Sequence, residues 1–198
     1  GWCTETGIEV ASLGVQIHGG MGYIEETGAC QHLRDSRITT IYEGTTGIQA
    51  ADLAGRKLTM DKGAAMRALI AEIAATVEEL GQTAGDDLAA IRAGLAEGVQ
   101  ALTEATGWML GASDAAAAMA VSVDYLMLAG FVCGGWQMAR AALVAQTKLM
   151  TGEDPSFHEA KLITARFYAE HLLPKAGALR ASIKNGGVSI LGLTEEQF

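Results

Sequence analysis

A single carboxylate, Glu43, stands between Tyr42 and Gly44 in the run IYEGTTGIQ (residues 41–49), and the two threonines that follow open a helical pattern. Two physical influences act on such an acid in opposite directions. A helix beginning at Thr45 or Thr46 leaves its first backbone N–H groups without intrahelical partners, so that end favours an anion or the polar edge of a ligand. Tyr42, Ile41 and Ile48 are expected to desolvate the carboxylate, which raises its pKa. An acid that stays ionised while becoming more basic is suited to proton abstraction. Gly44 removes a side chain beside it, so a substrate can approach the backbone closely. Taken alone, the pattern favours a simpler alternative, a capping or salt-bridged acid before a helix.

Helices must position these residues. Thr4 to Gln16 has helical spacing through Ile8, Ala11, Leu13 and Val15, with Thr4 as a cap, and should stop at Gly19-Gly20. Residues 19–28 are glycine-rich and expected to be irregular. A short helix over Ala29 to Ser36 and an extended run, RITTIY, lead to Glu43. A second helix runs from Thr45 or Thr46 to about Met60, with Ile48, Ala51, Gly55 and Leu58 recurring on one side, and Gly63 breaks it. The remainder is helical: Ala64 to Leu80, Asp86 to Leu110, a long helix from a Ser113-Asp114 cap to Met150, and a last helix after Pro155 that Pro174 kinks or divides. Long helices with short connections describe an antiparallel bundle, giving an all-α chain divided into residues 1–62 and 63–198.

Composition narrows the function. The 198 residues carry a net charge of −9, which opposes nucleic-acid binding, and 49% are hydrophobic, as in a globular chain. Cys3, Cys30 and Cys133 have no CxxC spacing, so reduced thiols in a cytoplasmic protein are expected rather than a disulfide framework or zinc site. Tyr125 to Ala139 is uncharged but short of the roughly 18 apolar residues of a membrane span, and is expected to be a core helix. The chain starts at Gly1 without an initiator methionine, which suggests a piece of a longer protein or a tag scar. His158, Glu159, Glu170 and His171 are expected on solvated helix faces rather than around a metal. Trp108, Trp136, Met109, Met127 and Met138 are expected in the bundle core or subunit contacts.

The longer stretch QIHGGMGYIEE…HLRDSRITTIYEGTTGIQ, from Gln16 to Gln49, resembles the C-terminal helical domain of flavin-dependent acyl-CoA dehydrogenases. A Q-I-x-G-G-x-G-Y/F turn, an R-D pair and Y-E-G-T before a helix occur in the family's order. The resemblance implies that Glu43 is the base that removes the α-proton of an acyl-CoA thioester, while the β-hydrogen passes as hydride to FAD, giving a trans-2-enoyl-CoA. It places Gly44 beside the thioester and Thr45, Thr46 and Gly47 against FAD. It matches Gln16, Ile17, His18, Gly19 and Gly20 to the turn that holds the adenosine-diphosphate part of FAD, usually that of a neighbouring subunit. His18 itself is given no proton-transfer role. Many members have a bulkier polar residue at Gly47, so contact there must come from backbone. Arg34 and Asp35 are expected to form a structural ion pair. The resemblance further implies an electron-transfer flavoprotein as electron acceptor and a homo-oligomer.

Ordinary members end soon after the Y-E-G-T helix. This chain continues from GRKL to LGLTEEQF, similar to a long-form subgroup with a C-terminal helical extension. The family's site is assembled from three domains, of which this chain would supply only the end of the third, so the isolated chain is expected to be inactive. The alternative is a helical module that keeps the fold and acts by oligomerisation or partner binding.

Overall fold

A computed structural model of the protein describes residues 1–197. The apolar stripes seen in the sequence become the faces of a helical bundle. Helix α6 (Ala64–Gly81) buries Ile73, Val77 and Leu80, and α7 (Asp86–Gly111) buries Leu88, Ile91, Leu95 and Leu102. The three-and-four spacing aligns these side chains on one stripe of each helix. Gly85, at φ +142, turns the chain between them. Helix α9 (Ser122–Met150) is the central element and packs against α6, α7, α10 (Pro155–Phe167) and α11 (Lys175–Asn185). Among the described residues no strand occurs.

Helix α9 crosses its neighbours at glycines. A Cβ on Gly130 would overlap the Trp2 side chain, one on Gly134 would overlap the Tyr168 phenol, and one on Gly135 would lie 2.8 Å from Leu173 Cδ1. A helical glycine costs about 1 kcal/mol relative to alanine. Here that cost is offset by close approach, with Trp2 also meeting Phe131 edge-on at a centroid distance of 5.7 Å. By length and composition α9 is the one helix among the described residues that could cross a membrane, with a mean hydropathy of 1.2 in its most apolar window. It is longer than the apolar run in the sequence suggests, and Tyr125, Leu128, Val132 and Ala139 on it are fully buried. Those residues make it the core helix.

The N-terminal region is built differently. Helix α1 (Trp2–Ile17) has no buried residue and packs on α3 (Ala29–Arg37) and α9. Thr4 lies inside α1 rather than capping it, and its hydroxyl donates to Gly1 O at 2.7 Å. The expected irregular stretch contains a short helix, α2 (Gly20–Tyr23), and a 3-10 turn at Glu25–Thr27. The run expected to be extended is helical instead, with a 3-10 turn at Ile38–Thr40. Thr39 Oγ1 donates to Ser36 O at 2.7 Å and Thr40 Oγ1 to Arg37 O at 3.3 Å, bonds that hold β-branched residues in helical turns.

The helix after Glu43 begins as α4 (Thr46–Ala51), widens into a π-helical turn (Asp52–Lys57) and closes as α5 (Leu58–Met60). Its buried residues are Ala50, Ala54 and Leu58; of the expected stripe Leu58 is buried and Ala51 half-buried, while Ile48 and Gly55 are exposed. The helix ends at Met60, and Gly63, at φ +77, opens α6, so the break falls at the expected place. The helix expected from Ser113-Asp114 to Met150 is broken at buried Val121 into α8 (Ala115–Ala120) and α9. Pro174 does divide the last helix, following a π-helical turn at Tyr168–Leu172.

Polar links between the helices are few. Glu104 on α7 meets Arg180 and Lys184 of α11 at 3.5 and 3.3 Å, and Arg166 on α10 meets Asp87 at 3.1 Å. Exposed pairs of this kind orient helices more than they stabilise them. Thr106 and Tyr125 share a buried hydrogen bond of 2.9 Å. Tyr125→Phe is expected to destabilise the chain by about 1–2 kcal/mol, because the Thr106 hydroxyl loses its buried partner. Urea unfolding should show most of that loss recovered when Thr106→Val is added.

Candidate catalytic and cofactor-binding site

Glu43 lies between the 3-10 turn at Ile38–Thr40 and α4, with backbone φ +53, and Gly44 follows at φ +95. The left-handed region costs a non-glycine residue roughly 1–2 kcal/mol. Gln49 holds the bend: its Nε2 donates to the Glu43 carbonyl at 3.3 Å. The positive φ favours glycine at residue 44, and a Cβ there would come within 2.9 Å of the same nitrogen and displace the Gln49 amide. Thr45 caps α4, its hydroxyl accepting from Ile48 N at 3.3 Å. Thr46 Oγ1 donates to Glu5 Oε1, tying the loop to α1. Glu43, Gly44 and Thr46, with Thr4, Thr39, Tyr42 and Gln49, line a cleft of about 280 Å³.

The expected desolvation of Glu43 is absent within the chain. Glu43 is exposed, and Ile41, Tyr42 and Ile48 are themselves 48%, 52% and 61% exposed. Neighbours in sequence do not enclose the carboxylate because none of them is itself covered. The polar half of the expectation stands: the helix start lies just beyond the acid, and Thr46 and Gly47 in its first turn have no intrahelical acceptor for their N–H groups.

The glycine turn is elsewhere. Gln16 and Ile17 end α1, and His18 follows with its Nδ1 2.8 Å from Gly14 O. Gly19 takes φ +63 and ψ −146, and Gly20 starts α2. All five residues are exposed. His18, but not the other four, lines a second cleft of about 570 Å³ between α1 and α3. The structure therefore groups Glu43, Gly44 and Thr46 in one cleft and leaves Gln16 to Gly20 outside it. Glu5 and His18 are about 20 Å apart along the helix that joins the two places.

Arg34 and Asp35 do not pair with one another. Arg34 reaches Glu25 at 3.3 Å and Cys30 Sγ at 3.5 Å, while Asp35 accepts from Gln31 at 2.6 Å. Consecutive helical residues diverge by about 100°, which separates the two charges. Cys133 is half-buried, and burial raises its thiol pKa. Burial likewise pushes the Tyr168 phenol above its ordinary range, and that hydroxyl donates to Phe131 O at 3.0 Å. No group of three or more His, Cys, Asp or Glu side chains suited to a metal occurs among the described residues. Sequence reasoning missed Glu5 and Gln49. Gln49 stood in the motif itself, whereas nothing in the sequence marks Glu5 as a partner of a residue 41 positions away.

An all-helical chain with a strained acid at a helix mouth and a separate glycine turn is matched by two family models. Residues 2–58 match the acyl-CoA dehydrogenase C-terminal domain, and residues 69–194 match the domain described as acetyl-CoA dehydrogenase C-terminal like. The chain belongs to the acyl-CoA dehydrogenase family. It is 46% identical over 197 residues to 3-methylmercaptopropionyl-CoA dehydrogenase of Ruegeria pomeroyi, covering 96% of this chain and 33% of that protein. It is 34% identical to the broad-specificity linear acyl-CoA dehydrogenase FadE5 of Mycobacterium tuberculosis, covering 93% of this chain and 32% of that protein. The human mitochondrial short-chain specific acyl-CoA dehydrogenase is 47% identical over 55 residues, 28% of this chain and 13% of that protein. The chain spans about a third of the length of the relatives it matches throughout.

Proposed function

We propose that this chain forms the C-terminal part of an FAD-dependent acyl-CoA dehydrogenase that converts an acyl-CoA thioester to a trans-2-enoyl-CoA, with Glu43 as the α-proton base. The observation that carries the proposal is the backbone at Glu43, a non-glycine residue held at φ +53 before Gly44 at the edge of a cleft. Lys62 and the structural cap Asp154 also take left-handed backbone, whereas at Glu43 it presents a carboxylate at the edge of a cleft, the setting in which strain of this kind marks function. Glu43 receives the α-proton on its carboxylate. Gly44 admits the thioester, since no side chain stands between it and the backbone.

The residues present fit a bound flavin nucleotide. The first-turn N–H groups of Thr46 and Gly47 are free to donate to it, and Thr45 and Thr46 add hydroxyl oxygens. Gly47 contributes backbone alone. Around Gly19 and Gly20 a Cβ would meet nothing within 4 Å, so the backbone there is open to a pyrophosphate. Gln16, Ile17, His18, Gly19 and Gly20 would hold the adenosine-diphosphate part, and Thr45, Thr46 and Gly47 the flavin side. FAD, when bound, accepts the β-hydrogen as hydride.

The exposure of Glu43 supports a site completed by groups outside this chain, so the isolated chain neither retains FAD nor dehydrogenates a substrate. The exposed apolar residues Val10, Leu13, Ile17 and Ile48 offer the surface such groups would cover. The same proposal includes a division of the chain at residues 62/63, a homo-oligomer, an electron-transfer flavoprotein as electron acceptor and a cytoplasmic location. The exposed apolar surface also favours a second possibility, a non-catalytic helical module that works by oligomerisation or partner binding.

Absorbance spectroscopy separates the two. The full-length protein is expected to carry stoichiometric flavin that bleaches anaerobically with acyl-CoA, and the isolated chain to be colourless. A full-length protein without flavin would support the module, and a stoichiometrically yellow isolated chain would overturn the incompleteness of the site.

A further inference from the structure

Far from Glu43 in the sequence, a cleft of about 550 Å³ opens between the end of α6, the middle of α9 and the first turns of α10. Arg140, His158 and Lys161 line it, together with Phe157 and Val144, which are 55% and 58% exposed. Among the described residues, seven of the chain's 14 lysines and arginines form ion pairs, and Arg67, Arg92 and Lys175 of the bundle are among those that do not. Lys148, Arg166, Arg180 and Lys184 in the same bundle all form ion pairs. Arg140 and Lys161 form none among the described residues.

Both cations are instead held by aromatic rings. The Arg140 guanidinium lies 5.3 Å from the Trp136 ring centroid and donates to Gln137 Oε1 at 3.1 Å. The Lys161 ammonium lies 5.4 Å from the Phe157 centroid. A ring orients a cation without neutralising it, so both keep charge and donors for an anion. The single carboxylate lining the cleft, Glu79, and the amide of Gln137 add acceptors for hydroxyl or amino groups. The cleft volume falls in the range of small-molecule sites, roughly 300–1,000 Å³.

We propose that this cleft binds a small phosphomonoester bearing a planar ring, of the nucleoside monophosphate type, with phosphate at Arg140 and Lys161 and the ring against Phe157 and Val144. An organic anion of this kind needs cations, an apolar wall and a few acceptors together, and the cleft supplies all three. The proposal is independent of the chemistry assigned to Glu43.

Calorimetric titration of the 198-residue chain with AMP, phenyl phosphate, adenosine and inorganic phosphate tests it. AMP is expected to bind saturably at one site in the micromolar to millimolar range, about 1 μM–1 mM, with adenosine and inorganic phosphate each much weaker. Arg140→Ala and Lys161→Ala should each weaken AMP by about tenfold or more, as loss of a charge-assisted contact does. Circular dichroism on the same samples checks that helix content is retained, and Arg140→Gln and Lys161→Gln give second variants if it is not. Absence of saturable AMP binding, binding unchanged in the variants, or inorganic phosphate binding as tightly as AMP would overturn the proposal.

Discussion

Glu43→Gln in the full-length protein is expected to lower turnover by about 10²–10⁴-fold, the usual contribution of a positioned base, with flavin content unchanged. The substitution is nearly isosteric. It leaves the hydrogen bond from Gln49 intact because that bond is made to the backbone carbonyl of residue 43. It also leaves Thr45 capping α4 and Thr46 tied to Glu5. The loss therefore reports proton abstraction rather than collapse of the loop. Rapid-mixing measurement of flavin bleaching, with exchange of the substrate α-hydrogen followed in deuterated water, reads both halves. A variant that bleaches at the wild-type rate would remove Glu43 from the chemistry.

The second large effect lies where α1 meets α9. A valine at residue 130 would need space that Trp2 occupies, and the obstruction is a ring packed on Phe131, not the far end of a flexible chain. Overpacking of this kind costs about 1–3 kcal/mol. Because α1 has no buried residue of its own, its attachment to the bundle rests on a few contacts, Trp2 against Gly130 and Gly134 and Glu5 with Thr46. Gly130→Val is expected to raise amide hydrogen exchange throughout α1 while α7 and the buried part of α9 stay protected. Unchanged protection of α1 would show that the Trp2 contact does not hold it. A bulky residue at 130 should also slow the full-length enzyme, since Glu5 rides on α1 and holds Thr46.

Much of the bundle was readable in the sequence. The stripes of α6 and α7 appear at three-and-four spacing, and Gly63, Pro155 and Pro174 mark breaks. The break at Val121 was not, since the residue is neither glycine nor proline and is fixed by burial. RITTIY looked extended because β-branched residues favour strands, but that preference yields to tertiary context, and in the helical turn the Thr39 and Thr40 hydroxyls find backbone acceptors three residues back. After Glu43 the expected stripe reached Leu58, which is buried, but Ala50 and Ala54 lead to it at a spacing of four and Ile48 lies off that face, because small alanines let the helix approach the bundle there. At the candidate site, the motif located Glu43, Gly44 and Thr46. The exposure of the acid was beyond it, as was the contact from Glu5, because both depend on what the tertiary structure covers.

Helix α9 makes the extension something other than an appendage. It holds Trp2 at Gly130, and its core is continuous with Ala54 and Leu58 from the Y-E-G-T helix. Shortening this chain to the length of an ordinary relative would bare that surface and leave α1 without its anchor. The converse holds for transplanting the Glu43 loop onto a shorter scaffold: the graft must bring its own wall for Trp2, or it will carry the motif without the rigidity that aims it.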